Sequence, residues 1–127
     1  MMVSVVLLSA LVFVIAVSLV VTRRLQRQLD QAERKGMELL LKNLSTRQRQ
    51  QYEAFGYFDV RGSDTGRRYR IFHGRFGNVR ELGPNDRVSI GKCFLPEGDL
   101  VAGDCMLAQK IALENRESAV LRVALPF

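Results

Sequence analysis

At 127 residues the chain has room for one small domain, and its formal net charge is +6. Two cysteines and a single histidine are too few soft ligands for structural zinc, and His73, Cys93 and Cys105 lack CxxC or HxxxH spacing, so no metal centre is expected. The charge is uneven: residues 22–55 carry eight basic and four acidic groups, residues 61–80 six and one, and residues 81–127 five and seven.

The first 21 residues, MMVSVVLLSALVFVIAVSLVV, contain no charged side chain. At about 1.5 Å per residue such a helix spans about 30 Å, the hydrocarbon thickness of a bilayer. Ser4, Ser9 and Ser18 can bond back to their own helix carbonyls, so they are tolerated in lipid. Residues 1–21 therefore predict a transmembrane helix. A cleaved signal peptide is the rival, with Ala16-Val17-Ser18 as its cleavage signal, but no Lys or Arg precedes the apolar run and the run is long for a signal core. Arg23, Arg24 and Arg27 flank the span on its C-terminal side. Positive charge is retained on the cytoplasmic side. The expectation is a single pass of the inner (plasma) membrane with the N-terminus outside and a cytoplasmic body, where Cys93 and Cys105 are reduced thiols.

Thr22 to Asn43 reads as a helical stalk continuing the span, rich in Arg, Gln, Leu, Glu and Lys. Leu25, Leu29, Ala32, Leu39 and Leu40 recur at helical steps around Gly36, a stripe that either zips against a second copy as a homodimer or packs onto its own domain. Asp30–Arg34 and Glu38–Lys42 have the favourable acid-before-base spacing. Residues 44–127 read as a small α+β domain. "STRQ" from Ser45 has the form of a capping box and opens a short helix ending at Gly56, with Tyr52 and Phe55 as expected core anchors.

An antiparallel β-meander of three to four strands is expected next. Tyr57–Arg61 alternates, with Phe58 and Val60 on one face. "GSDTG" (62–66) is a turn. Arg67–His73 alternates again, with Tyr69, Ile71 and His73 on one face and Arg68, Arg70 and Phe72 on the other. Asn78–Leu82 is a short strand, "GPND" (83–86) a turn, and Arg87–Leu95 a strand with Val88, Ile90 and Phe94 inward. A helix follows, N-capped by Asp104, with Met106, Leu107, Ala108, Ile111, Ala112 and Leu113 as a broad apolar face and a Lys110–Glu114 pair. Ser118–Leu125 fits neither period cleanly and reads as a short helix in preference to an edge strand.

Residues 45–114 resemble a family of small, uncharacterised bacterial and phage-encoded proteins. The resemblance is carried by "YEAFGYFDVRGSDTGRRYRI" (52–71), "GNVREL" (77–82), "CFLPEG" (93–98) and "GDCMLAQKIALE" (103–114). It implies a module that also occurs without the membrane span. It brings no established activity, so no catalytic residue carries over.

The basic stretch holds the candidate site. Arg67, Arg68, Arg70, Arg75 and Arg80, interleaved with Tyr69, Phe72 and Phe76, could meet an acidic protein surface or anionic lipid through their charge. Alternatively, guanidiniums for phosphate and rings for stacking would suit single-stranded nucleic acid, although no RNP motif, GXXG clamp or helix-turn-helix pattern is present. The bland alternative is a solvated sheet face whose arginines pair with carboxylates such as Glu81. A catalytic pair of His73 and Cys105 lacks an orienting third residue, and adjacent Asp104 opposes a thiolate. "GSDTG" lacks the Lys and following helix of a phosphate-cradling loop. No catalytic residue and no cofactor are expected, and the chain reads as a non-catalytic, membrane-anchored interaction protein.

Overall fold

The computed structural model describes residues 1–127. The apolar run and the polar segment after it form one helix, α1 (Met2–Asn43). The chain divides into two units, Met1–Ala32 and Glu33–Phe127. Every side chain of the first unit is exposed. Its best 18-residue window has a mean hydropathy of 3.0, and α1 is the one helix long and apolar enough to cross a membrane. Ser9 bonds back to the Val6 carbonyl at 2.9 Å, the self-satisfaction expected of a serine in an apolar helix. Asp30 accepts from Gln26 at 3.3 Å.

The second unit is α+β, as the alternation and capping signals predict. After the end of α1 come α2 (Thr46–Phe55), β1 (Tyr57–Arg61), β2 (Arg68–Phe72), β3 (Val79–Leu82), a 3-10 turn (Pro84–Asp86), β4 (Val88–Cys93), α3 (Ala102–Val123) and β5 (Leu125–Pro126). The strands form one antiparallel sheet in the order β1-β2-β3-β4-β5. The capping box closes as expected: Gln48 N donates to Ser45 Oγ at 3.2 Å, and Ser45 N donates to Gln48 Oε1 at 3.0 Å. Gly56 ends α2 at φ 74°, a left-handed conformation that glycine adopts without strain.

Register places Phe58 opposite Ile71, Val60 opposite Tyr69, and Ile71 opposite Val79. These five side chains are buried and form the inner face of the sheet. They meet Leu40 of α1 and Leu44 just after its end, with Met106, Leu107 and Leu113 from α3. Burying a Leu or Phe side chain contributes about 1.5–3 kcal/mol, so these ten residues dominate the stability of the unit. The stalk segment after Glu33 thus packs onto its own domain. Gly103 of α3 makes that possible, because a Cβ there would collide with the backbone of Gly36 and Met37, and a Cβ at Gly36 would in turn press on the Val101 side chain. Two glycines let two helices touch backbone to backbone.

Several expected positions are corrected. Phe55 is 67% exposed and Tyr52 alone of the α2 pair packs on the core. Val88 is 45% and Ile90 50% exposed: a register shift between β3 and β4 breaks the alternation, and Val88, opposite Leu82, lines the outer face beside Phe72 and Arg80 instead of the core. Alternation assigns a face only as far as no bulge interrupts the strand. Ile111 is exposed on α3, whose buried face is narrower than its apolar one. His73 lies beyond the end of β2 and is exposed, its Nδ1 2.8 Å from the Tyr52 hydroxyl. The N-cap of α3 is Val101, in extended backbone, and Asp104 falls in the first turn. There it complements the positive end of the helix dipole. The C-terminal segment is helical through Val123, with a break at Arg116 (φ −142°, ψ 39°), and then supplies a fifth strand.

Both outer edges of the sheet are blunted. Asp59 N on β1 donates to Gln51 Oε1 at 2.8 Å, and its carbonyl accepts from Gln48 Nε2 at 2.9 Å. Two glutamines of α2 therefore occupy main-chain groups that another strand would need. At the other edge β5 has two residues, one of them Pro126, which has no N–H to donate.

Candidate functional site

β2 and β3 project the basic stretch onto the face of the sheet opposite the core. Arg68, Arg70 and Phe72 alternate with buried Tyr69 and Ile71, and Arg80 is the register partner of Arg70. These four of the expected binding residues share one surface. Arg67 precedes β2 and pairs with Glu81 at 3.6 Å. Arg75 lies in the loop after β2, bonding Asp99 at 3.4 Å and the Leu100 carbonyl at 3.0 Å. Arg23, Arg24 and Arg27 are exposed on α1 in the other unit.

Charge on this face is partly internal. Asp59 accepts from Arg70 Nε at 2.8 Å and Nη2 at 3.1 Å, and from Arg68 Nη2 at 3.1 Å. Burial alone would raise the Asp59 pKa, but the Arg70 and Gln51 hydrogen bonds and the Arg70 charge outweigh it and hold it below the ordinary value. Arg68 also binds Asp86. Two of the three guanidiniums on this face are thus neutralised, through Asp59 and Asp86, while Glu81 pairs with Arg67. The signal was in the sequence: counting back across the "GSDTG" turn puts Asp59 opposite Arg70.

The rings form a layered surface. Arg70 lies 4.0 Å from the Tyr57 ring centroid, Phe55 stacks on Tyr57 at 5.5 Å, and Phe72 meets Tyr57 edge-on at 5.3 Å. Arg80 has no carboxylate partner and stacks on Phe127 at 4.5 Å. That ring covers Gly91, where any Cβ would overlap it. A shallow groove runs between Phe72, Phe76, Arg80 and Val88. Arg80 and this groove are therefore the part of the face with charge and aromatic surface still free.

The "GSDTG" turn does more than join two strands. Glu117 of α3 is fully buried and accepts from Tyr69 Oη at 2.7 Å, Thr65 Oγ1 at 2.5 Å, and the backbone N–H groups of Asp64 and Thr65 at 2.8 Å each. Gly62 is obligatory beside it, since a Cβ there would overlap the carboxylate. Burial would raise the Glu117 pKa, but the hydrogen bonds from Thr65, Tyr69 and Asp64 override it and bring it to about 2. Burial first, then the hydrogen bond to Glu117, pushes the Tyr69 hydroxyl well above its ordinary value. Ser63 Oγ accepts from Glu117 N at 3.2 Å, and Asp64 Oδ2 accepts from Ser118 N at 2.9 Å. Ser63 N in turn donates to the Leu113 carbonyl at 3.0 Å. The turn is inserted into the break in α3 and serves both half-helices.

A second buried polar contact joins sheet to helix. Asn78 and Gln109 exchange amide hydrogen bonds at 2.8 and 2.9 Å, and Asn78 also donates to the Phe72 and Gly74 carbonyls at 3.1 Å. His73 and Cys105 have separate partners: His73 the Tyr52 hydroxyl, Cys105 the Arg75 carbonyl at 3.6 Å. Burial raises the Cys105 pKa despite the Arg75 charge, the opposite of what a nucleophile needs. Cys93 and Cys105 are both free thiols. No three His, Cys, Asp or Glu side chains converge to hold a metal ion. No protein family, curated protein or solved structure matches this chain.

Proposed function

We propose that the chain is a single-pass protein of the inner membrane, anchored through residues 1–21, whose Glu33–Phe127 unit is a cytoplasmic, non-catalytic interaction module. The observation that carries the anchor is the uncharged helical stretch with every apolar side chain exposed, which water would penalise by about 25 cal/mol per Å2. Arg23, Arg24 and Arg27 support the orientation. The contact surface is the outer sheet face around Arg80, Phe72 and Phe76, and the partner is an acidic protein surface or anionic lipid. A single-stranded nucleic acid is the competing partner, but Asp59 already occupies two of the guanidiniums such a strand would need for phosphate.

Alkaline carbonate extraction tests the anchor: the full chain should stay in the membrane pellet, and release into the supernatant refutes the reading. A membrane-impermeant thiol reagent should fail to label half-buried Cys93 in intact cells and should label it after lysis. Labelling in intact cells reverses the orientation.

A further inference from the structure

An open polar cleft of about 500 Å3 runs between α2, the turn ends of β1 and β2, and α3. Three carboxylates line it, and each already has a cation. Asp59 is held by Arg68 and Arg70, Asp86 by Arg68, and Glu114 by Lys110 at 2.6 Å. Arg47, from the first turn of α2, and Arg61, from the end of β1, line the same cleft. Neither has an acidic partner. Three cations and three carboxylates line the cleft, but Arg70 and Lys110, from outside the lining, together with Arg68 already neutralise the three acids, so the charge of Arg47 and Arg61 is left uncompensated on two exposed guanidiniums.

Guanidinium forks match phosphate oxygens two at a time, and a phosphate monoester carries about −1.5 to −2 at neutral pH. No aromatic residue lines the cleft, so nucleic-acid bases would find no stacking surface there. The polar lining likewise offers little to an apolar ligand. We propose that this cleft is a binding site for a phosphate monoester or diphosphate group, gripped by Arg47 and Arg61. The site is separate from the Arg80 groove and does not require the membrane reading. The group could be carried by a soluble molecule or by a lipid headgroup, and the experiment separates the two.

The full chain in phosphatidylcholine nanodiscs is titrated with inorganic pyrophosphate by calorimetry. Saturable one-to-one binding is expected. Arg47→Gln or Arg61→Gln should each weaken it about tenfold or more, the scale of one charged hydrogen-bonding partner. Arg87→Gln, exposed, unpaired and outside the cleft, should leave it unchanged. Both cleft arginines are exposed, and unaltered melting of the variants establishes that they fold. Weaker pyrophosphate binding in discs doped with phosphatidic acid identifies a lipid headgroup as the occupant, and equal binding identifies a soluble one. Absence of saturable binding by the unaltered chain overturns the proposal, as does equal weakening by Arg87→Gln.

Discussion

Glu117 accepts four hydrogen bonds inside the fold, and its negative charge strengthens each of them. Glu117→Gln keeps the shape but removes the charge and turns an amide N–H toward groups that already donate. Denaturant unfolding should register a loss of about 3 kcal/mol, from the difference between charged and neutral hydrogen bonds plus one poorly satisfied group. The acid dependence follows from the same carboxylate. Its folded pKa of about 2 lies below the ordinary 4.5, so the unfolded chain takes up the proton first as the solution is acidified. The stabilisation is complete above about pH 4.5 and disappears as pH falls through about 2. In Glu117→Gln the stability curve over that window should be flatter than in the parent, leaving the slope due to Asp59 and Asp64, whose pKa values are also lowered. An unchanged acid limb would mean that the carboxylate is not buried in this cage. That a Glu near the C-terminal end of a helix belongs to the turn between two strands was not visible in the sequence, because 52 residues separate Thr65 from Glu117.

At the scale of elements, two contacts hold α3. The first is its crossing with α1 at Gly36 and Gly103. Alanine is the better helix former by about 1 kcal/mol, so propensity alone predicts that either Gly→Ala change stabilises. The crossing predicts the reverse, and unequally. A Cβ at Gly103 meets the backbone of Gly36, which cannot yield without moving the helix, whereas a Cβ at Gly36 meets chiefly the Val101 side chain at 2.6 Å. Thermal melting should place Gly103→Ala well below Gly36→Ala, by an amount comparable to an overpacked core, about 1–3 kcal/mol. The second contact is the turn cap on the half-helix after Arg116. Asp64→Ala removes the acceptor for Ser118 N and Oγ. Amide exchange of residues 118–123 should accelerate while that of 102–113 stays as it was; uniform acceleration would show that the two halves do not open separately. Gly36 was readable as a gap in the apolar stripe of the stalk helix and the "GSDTG" composition as a turn. Their pairing with distant partners was not, since local pattern does not encode what a loop touches.

For the whole molecule, the division at Ala32 and Glu33 has a measurable consequence. The core includes Leu40 and Leu44, so a fragment beginning at Glu33 retains the full hydrophobic cluster, whereas one beginning at Ser45 loses both residues and the helix crossing. The longer fragment should unfold in one cooperative transition. The shorter should be less stable by about 4 kcal/mol or more, from two leucines at about 2 kcal/mol each, and is expected to bind apolar dyes. Comparable stability of the two would mean that residues 33–44 are dispensable to the fold.

Period and composition alone determined the long apolar helix, the capped α2, the alternation of β1 and β2 and the α+β class, because those features depend on interactions within a few residues or on the inside–outside contrast along one element. They also located the basic stretch. Tertiary structure decided which faces were covered, exposing Phe55, Val88 and Ile90, and which arginines were free, neutralising Arg68 and Arg70 through Asp59 while leaving Arg47, Arg61 and Arg80 without acidic partners. It also turned the last residues into a strand whose terminal ring rests on Gly91. Burial and ion pairing depend on which elements meet across the fold, and that meeting is set by the packing of all of them at once.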